Sequence, residues 1–544
     1  MKKFGVRIWH IIFIFCLVSL VSCVFFQKSP TKIRYSDYWS FFPEQTSFLA
    51  LLPDPIECVE KMHVFDYPAV YQMLAGKLKL SYNIDIISEN TIGAKGVDFT
   101  KPCGYANIGE LATLYFWGIN DYSLFKQHLQ EQLKHENQQA IEQEIEGNVA
   151  FIIKSDVQQA LYAYVKNYCL YYSISIKNDT VSSFDLLDSF KKDVLNSTKR
   201  LKDYASFQEI QKKLGDPKEI FLYKRDIIPS DIFTIVNDVI ASGMNIAITD
   251  DKIVCDHYRV FQENASLFKI YTSTKSVNKV LKKIPQDPIL FLYNGLDLEN
   301  HWNIANNCLD DFFKVLPIGK YFENLDEFFE QMQELFNKQW GVKIQFKEDI
   351  FKNISGSSVF ALYPTKNPKD ISFLCAFKLV DSKKNKMAET LENMYNNFKH
   401  SQEYVTKEDS YYVFKKTFYD NMYLALGVVD DYLVCAHKDI FSKMNSSDQS
   451  QVLQINEDAI SQGFIKVGDL YQKLIVFFSE AMQETLTSGH QFIKEIQLLH
   501  FSSKKDKTGS QGSIIIQSQS GNIFKNVFQQ IQNMMQRDEN KSAK

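Results

Sequence analysis

The histidine and carboxylate side chains of this 544-residue sequence could bind a metal ion or act as acids and bases, but few stand at an informative spacing. His128 and His135 lie seven residues apart, which places them on one face of a predicted helix where they could flank a metal ion. Glu131 and Lys134 lie between them and indicate a solvated surface instead. We therefore predict that this helix holds no metal.

Two pairs of adjacent aspartates stand just before predicted strands, at residues 250–251 and 430–431. Paired carboxylates could perform acid–base chemistry or bind calcium. Consecutive turn residues point apart, however, and aspartate favours turns because its side chain bonds to the nearby backbone. We interpret both pairs as turns, and His257 and His437 as ordinary strand residues.

Signatures of the common catalytic mechanisms are missing from the sequence. It contains no H-E-x-x-H, no G-x-S-x-G, no Walker phosphate-binding loop and no G-x-G-x-x-G after a predicted strand. The metalloprotease, hydrolase and nucleotide-binding mechanisms therefore lack the residues that position their reacting groups. We predict a protein that is not an enzyme and has no cofactor, with a hydrolase of unrecognised site as an alternative.

Cys23 is the residue to which the sequence assigns a specific chemical role, which is lipidation. It ends the quartet Leu20-Val21-Ser22-Cys23, which resembles the bacterial lipobox: an aliphatic residue, a tolerant position, a small residue and the cysteine that receives lipid. Cleavage before Cys23 would leave acyl chains as the anchor. Several chains, at ~0.8 kcal/mol for each buried methylene, would hold the protein stably on a membrane.

The apolar run Ile8 to Phe26 contains this quartet and follows the basic residues Lys2, Lys3 and Arg7. A basic opening and an apolar stretch are typical of a secretory signal. The run is also close to the ~20 residues that span a bilayer, so an uncleaved anchor is an alternative, with its basic end in the cytoplasm. A fully soluble secreted product is the third possibility, after the lipoprotein and the uncleaved anchor. All three export the body, so we predict a cell-envelope protein whose partner is the membrane.

Composition argues for a globular body and against nucleic-acid binding. Hydrophobic residues make up 45% and charged residues 23% of the chain, which allows large cores. The formal net charge is -4 and no long block of lysine and arginine occurs, whereas a nucleic-acid surface needs a basic patch. Phenylalanine, with 43 residues, and tyrosine, with 28, predict aromatic cores.

The cysteines beyond the N-terminal run are widely spaced, odd in number and never in a C-x-x-C pair, which disfavours zinc and thioredoxin-like sites. They are Cys58, Cys103, Cys169, Cys255, Cys308, Cys375 and Cys435. Cys169, Cys375 and Cys435 stand in apolar strand-like runs, where a free cysteine behaves as a small buried hydrophobe. Whether any disulfide forms stays open.

The order of predicted elements occurs twice along the chain. Each copy opens with a turn and a strand, at Pro43 and Pro285, and continues through helices and three short antiparallel strands. We predict an α+β fold of two tandem related modules, residues 43–284 and 285–535, with antiparallel sheets and helices packed on them. Residues 1–26 form the signal or anchor, 27–42 a tether and 536–544 a charged tail.

The corresponding elements can be placed residue by residue. Short strands are predicted at 148–154, 159–165 and 168–175, and again at 411–415, 422–428 and 432–436. Helices are predicted at 230–241 and 470–487, and later strands at 244–249, 253–261 and 267–272 against 492–502 and 512–519. Each copy ends in an amphipathic helix, at 277–284 and 523–535. Asp121 and Asp381 stand where each would cap a helix.

Several of these features together resemble an uncharacterised bacterial family, domain-of-unknown-function family 3352. They are the opening Pro-x-x-Thr at Pro43, aliphatic-polar strands at 84–86 and 342–346 before loops containing Gly93, Gly96 and Gly356, and Asp-Asp-Tyr-Leu-Val at 430–434. The resemblance covers most of residues 43–535. It implies an exported or membrane-anchored protein and brings no catalytic residue with it.

Two functional hypotheses follow. The first is a membrane-anchored envelope protein with a non-catalytic binding or scaffolding role, whose ligand or protein partner is unknown. The alternative is a carrier in which aromatic-rich sheets enclose an apolar cavity for a lipid or another hydrophobic ligand. Duplicated modules favour a ligand site between them, because pockets form preferentially at domain interfaces.

Overall fold

The computed structural model describes most of the chain from residue 38 onward. The described residues are 38–68, 96–109, 111–135, 138, 140–154, 158–175, 183–225, 239–263, 265, 269–270, 283–298, 324–340, 345–365, 371–398, 405–415, 423–445, 459–475, 496–519 and 521–542. Cys23 and the run Ile8 to Phe26 lie outside them.

The described residues form β-strands and α-helices in mixed order. The strands are β1 (Thr46–Leu52), β2 (Val97–Asp98), β3 (Cys103–Ile108), β4 (Ala112–Ile119), β5 (Ala140–Ile145), β6 (Asn148–Lys154), β7 (Gln158–Val165), β8 (Tyr168–Ser175), β9 (Ile220–Arg225), β10 (Val239–Ile248), β11 (Lys252–Phe261), β12 (Leu290–Asn294), β13 (Ile354–Pro364), β14 (Ile371–Leu379), β15 (Val405–Glu408), β16 (Tyr411–Phe414), β17 (Leu424–Val429), β18 (Tyr432–His437), β19 (Ala459–Ile465), β20 (Ile496–Lys505) and β21 (Gly509–Ser518). The helices are α1 (Pro55–Lys61), α2 (Tyr122–His135), α3 (Ser183–Phe190), α4 (Ala205–Leu214), α5 (Leu325–Trp340), α6 (Lys384–Phe398), α7 (Lys438–Asn445), α8 (Val467–Ile475) and α9 (Ile523–Ser542).

All pairings among the described strands are antiparallel and join them into one continuous sheet. The order across the sheet is β5-β6-β7-β8-β4-β3-β1-β9-β10-β11-β21-β20-β19-β12-β13-β14-β18-β17-β16-β15, with β2 paired to the end of β4. The prediction of an α+β fold with antiparallel sheets is confirmed.

The sheet has two halves with the same strand order. We call β1 to β11 the first half and β12 to β21 the second half. If β2 is set aside and the strands of each half are numbered along the chain, the order from either outer edge is 4-5-6-7-3-2-1-8-9-10. The halves meet where β11 pairs with β21, which are the last strands of each, and we call this pairing the seam.

Short turns and alternating side chains explain much of the local structure. Lys166 and Asn167 join β7 to β8 with φ of 50° and 65°. Positive φ at both positions is the requirement of a tight type I′ hairpin, whose twist matches that of the strands. Along β4, Phe116 and Trp117 point to opposite faces of the sheet and pack in separate buried clusters.

Helices cover parts of both faces of the sheet, and α4 also contacts the seam strand β11. In the first half, α2 packs in the cluster of Trp117, whereas α3 and α4 pack in the cluster of Phe116 on the opposite face. In the second half, α6 and α7 lie in two separate clusters. We call the face that carries Trp117 the inner face and the other the outer face.

The helix that follows β21 crosses over to the opposite half. Phe524 and Phe528 of α9 are buried in the first-half cluster, and Asn522 Nδ2 donates to the carbonyl of Lys61 at 2.8 Å. Ile284, the last residue of the predicted first module, is buried in a second-half cluster. The first half therefore receives part of its core from α9, at the end of the chain.

The structure contradicts parts of two predictions after β9 and β11. The sequence predicts a helix over 230–241, of which 230–238 lie outside the described residues, but residues 239–241 belong to β10, where the β-branched residues Val239 and Ile240 suit a pleated strand. The sequence also predicts a strand over 267–272, but Lys269 and Ile270 are helical. The reason is that β11 already pairs on both edges, with β10 and β21, so a third strand has no edge to join.

The helix-cap prediction is right for one aspartate and wrong for the other. Asp121 accepts a hydrogen bond from the backbone of Leu124 at 3.0 Å, as a cap does. Asp381 instead begins a short 3-10 turn, Asp381–Lys383, and Val380 occupies the cap position. The extra turn before α6 moves Asp381 out of the cap.

Other element boundaries also differ from expectation. Gly356 lies inside β13 with φ of 111°, not in a loop, and Phe346 begins the helical turn Phe346–Ile350, not the end of a strand. The closing helix, predicted to end at 535, continues as α9 to Ser542 and includes most of the charged tail. Arg, Glu and Lys are good helix formers, which explains the extension.

Candidate binding surface

The residues first considered for chemistry lie apart from one another. His128 and His135 lie in α2, and in the described part of the chain no three or more His, Cys, Asp or Glu residues are grouped so that they could hold a metal ion. His257 lies in β11 and His437 at the end of β18, as expected.

Both aspartate pairs form turns, which confirms their interpretation. Thr249 Oγ1 donates to Asp251 Oδ1 at 3.0 Å, and the backbone of Thr249 donates to the carbonyl of Lys252 at 2.9 Å, closing the β10–β11 hairpin. Asp430 has φ of 53° and begins the β17–β18 hairpin. Neither pair forms a carboxylate site.

The described cysteines are all free thiols. Cys58, Cys103 and Cys169 are buried, whereas Cys255 and Cys435 are half-buried in strands. Burial raises the pKa of the Cys255 thiol to about 11, with a smaller contribution from Asp256, and raises the pKa of Cys435 to about 11. These cysteines are therefore neutral apolar groups at pH 7, not reactive thiolates.

An uninterrupted row of apolar positions crosses the inner face and the seam. Directly paired residues of antiparallel strands project to the same face, so a chain of pairs traces a row across the sheet. The row consists of Ile220, Ile246, Cys255, Ile514, Phe501, Gly463, Leu292, Phe360, Cys375, Cys435, Leu426 and Tyr412. It holds no charged residue over twelve strands.

A second apolar row runs beside the first, two residues further along each strand. It consists of Ile248, Ile253, Ile516, Leu499, Ile465, Leu290, Leu362 and Phe373. At ~4.8 Å between strands, the part from Ile253 to Phe373 is about 29 Å long. We call these two rows together the apolar face.

The ends of the apolar face are covered and its middle is partly exposed. At one end, Ile220 and Ile248 are buried in the cluster that contains α2 and α9. At the other end, Tyr412 is buried in the cluster that contains α6. Between them the side chains remain partly accessible, as for Ile514 and Phe501. The apolar face therefore joins two helix-covered cores through an incompletely covered centre.

One row on the outer face at the seam is polar. Asn245, Asp256, Ser513, Ser502 and Gln462 occupy consecutive paired positions on β10, β11, β21, β20 and β19. Lys218 pairs with Asp256 there, with Nζ 3.0 Å from Oδ2. The two faces of the same strands thus differ in chemistry along this row.

A polar border with basic residues limits the apolar face on one side. The row four residues along the strands from the first apolar row consists of Lys224, Ser242, Arg259, Ser510 and Lys505. The three basic residues are exposed on β9, β11 and β20. We call this row the basic border. The basic border lies about 14 Å from the first apolar row, because the two are separated by four residues along each strand.

His257 lies between the basic border and the apolar face. It pairs with Gly512 across the seam, and its ring packs where a side chain at Gly512 would otherwise stand. Burial lowers the pKa of His257, and the positive charge of Arg259 lowers it further, against an opposing effect of Asp256. The imidazole is therefore neutral at pH 7.

Aromatic rings continue the inner face into the first half. Tyr162, Tyr171, Tyr115 and Tyr105 occupy consecutive paired positions on β7, β8, β4 and β3. Their ring centroids lie 4.8, 5.9 and 4.7 Å apart in that order. Such tilted aromatic contacts stabilise cross-strand pairs, so these tyrosines form an ordered row across the sheet from the buried aromatic cluster of this half.

Sequence reasoning did not find the apolar face, although one signal for it was present. Ile514, Ile515 and Ile516 form an apolar run in β21, and alternation in β20 places Leu499 and Phe501 on one side. The rows depend on which strands are neighbours, and the pairing of β11 with β21 joins residues about 260 positions apart.

Comparison with known proteins gives little. No protein-family model matches this chain, and no curated protein is similar to it. A solved structure described as crystal form III of TP0453 aligns with 42% of this chain and 80% of its own length, at 8% identity and a TM-score of 0.25. A similarity of that size supports no conclusion about fold or function. Within the described residues, no helix is both long and apolar enough to span a bilayer.

Proposed function

We propose that this protein is a non-catalytic, membrane-anchored binding protein of the cell envelope that holds a hydrophobic ligand on the apolar face. The observation that carries the proposal is the pair of apolar rows that cross the seam without a charged residue. Contiguous accessible apolar surface is costly in water and marks sites of ligand, membrane or protein binding.

The energetics of such a surface favour a ligand with long alkyl chains. Each methylene transferred from water onto the apolar face contributes ~0.8 kcal/mol, so about ten methylenes contribute ~8 kcal/mol before the cost of immobilisation. One leaflet of a bilayer gives a lipid chain about 15 Å of hydrocarbon depth, half of the ~30 Å core. The apolar face, at about 29 Å, is long enough to accommodate it.

Anchoring is the second part of the proposal. Lipidation of Cys23, or retention of Ile8 to Phe26 as a helix, would place the body beside a membrane and thus beside a supply of hydrophobic ligand. This part rests on the sequence pattern of the N-terminal run. The resemblance to family 3352 is consistent with it and stays a prediction.

Duplication of an ancestral module is the third part. The identical 4-5-6-7-3-2-1-8-9-10 order of the two halves supports two tandem related modules, 43–284 and 285–535. In this proposal the seam is the interface between modules, and the ligand lies across it.

Photolabelling of the full-length protein in zwitterionic phospholipid vesicles tests the binding function. A neutral long-chain alkyl diazirine should label inner-face residues of β11, β20 and β21, as located by peptide mass spectrometry. Ile514→Glu places a charge in the first apolar row and should reduce labelling about tenfold, equivalent to ~1.4 kcal/mol.

The matched control is Ser513→Glu, which adds the same charge to the same strand on the polar outer face. It should keep labelling within about twofold of the parent, and melting temperatures should show that both variants fold. Equal labelling of the two faces, or equal effects of the two substitutions, would contradict the proposed function.

A further inference from the structure

We infer that the ligand is an anionic phospholipid, whose acyl chains lie on the apolar face and whose headgroup phosphate lies at Lys224, Arg259 and Lys505. This inference rests on the proposed function and adds the chemical class of ligand. It follows from the position of positive charge relative to apolar surface on the same strands.

Three strands change from apolar to basic in the same direction. On the inner face, β9 has Leu222 before Lys224, β11 has Cys255 and His257 before Arg259, and β20 has Phe501 and Ser503 before Lys505. The pairs Lys224–Ser242, Ser242–Arg259, Arg259–Ser510 and Ser510–Lys505 place the three charges in one row. Five strands at ~4.8 Å make that row about 19 Å long, with Arg259 at its centre and each lysine about 10 Å from it along the row.

Asp297 is an acidic neighbour of the basic border. Asp297 lies close enough to Lys505 to favour its charged form, although burial lowers the pKa of Lys505 overall. Ser242 and Ser510 occupy the intervening positions, so no carboxylate stands within the row itself. The positive field is also felt by His257, whose pKa Arg259 lowers.

Phosphate is the anionic group that this chemistry suits. Arginine presents planar paired donors that match phosphate oxygens, and lysine adds a mobile point charge. A phospholipid also supplies two acyl chains, and the apolar face, about 29 Å across the strands, has room for two chains side by side along the strand direction. A fatty acid supplies only one chain and one carboxylate, so it would leave part of the apolar face and of the basic border uncovered.

The experiment compares two photoactivatable phospholipids with the same diazirine acyl chains, phosphatidylglycerol and phosphatidylcholine, each at low density in vesicles carrying the full-length protein. Phosphatidylglycerol should label the inner face about tenfold more strongly. The triple variant Lys224→Gln, Arg259→Gln, Lys505→Gln should remove that preference and leave phosphatidylcholine labelling unchanged. Lys504→Gln, on the outer face of β20, should keep it.

The outcomes separate this inference from the proposed function. Equal labelling of the inner face by both phospholipids, or a preference that survives the triple variant, overturns the anionic assignment and leaves the hydrophobic site in place. Stronger competition by a long-chain fatty acid than by unlabelled phosphatidylglycerol overturns the phospholipid assignment. Failure of the neutral alkyl probe as well as both phospholipids to label the inner face overturns the proposed function itself.

Discussion

Substitution of Phe528 by alanine tests the packing of the closing helix α9 against the first half. Phe528 belongs to the last helix of the chain, yet it is 3% exposed in a cluster with Val59 and Tyr67 of the first half. Its ring centroid lies 6.3 Å from that of Tyr67. Removing a buried phenylalanine ring costs ~3–5 kcal/mol through lost transfer energy and the cavity left behind.

The loss of stability caused by Phe528→Ala should appear in the first half, far from the substitution in sequence. At 1.4 kcal/mol for each factor of ten, a loss of ~3 kcal/mol raises the population of the locally open state by about 100-fold. Hydrogen exchange followed by mass spectrometry should show faster exchange in α1 and β4. Trp117, which is buried in the same cluster, should report the same change by fluorescence during urea unfolding.

The Phe528→Ala experiment has a matched control on the same helix and two results that would refute its reasoning. Lys525→Ala changes the exposed side of α9 and should leave exchange in α1 and β4 unaltered. If Phe528→Ala accelerates exchange in β13 to β18 of the second half and leaves the first half protected, the packing of α9 against the first half is refuted. Unchanged protection in both halves would refute the burial of Phe528.

Two further substitutions test a buried hydrogen-bond network and a pH-dependent ion pair. Asn245→Leu removes an amide that is fully buried and donates to two carbonyls at the end of α4, each at 3.0 Å, so urea unfolding should show a loss of ~1–3 kcal/mol. Hydrogen bonds from Lys407 and then Tyr412 lower the pKa of Glu392, so its stabilisation is complete above the unfolded-state pKa and is lost as pH falls through the folded-state pKa. The stability difference between parent and Glu392→Gln should therefore shrink from pH 7 towards acid, and its absence at pH 7 would contradict the pairing.

Local sequence patterns predicted individual elements best where alternation and turn residues agreed. The hairpin at Asp430 and the strands on both sides of it follow from aspartates set between apolar alternating runs. The strand Ala140–Ile145 was missed because its exposed side chains are mostly polar, which reduces the apolar alternation that identifies a strand. Edge strands are recognisable mainly by their pairing partner.

The candidate binding surface could not be predicted from the sequence for a different reason. Ile253 and Ile516 are adjacent only because β11 and β21 pair, and no local pattern specifies that partner. Periodicity does determine that Arg259 shares a face with Cys255 and Ile253, since these residues alternate along one strand. The residues of one strand that share a face could therefore be predicted from the sequence. The rows that cross several strands could not, because they depend on the order of the strands.

The seam also has a consequence for the time course of folding. β11 ends at Phe261 and its seam partner β21 begins at Gly509, about 250 residues later. At ~5–20 residues per second, a chain emerging from its N-terminus leaves the seam edge of β11 without that partner for roughly 12–50 s. A bare strand edge is a template for pairing with other chains. The last strand to be synthesised thus protects the earlier half from aggregation.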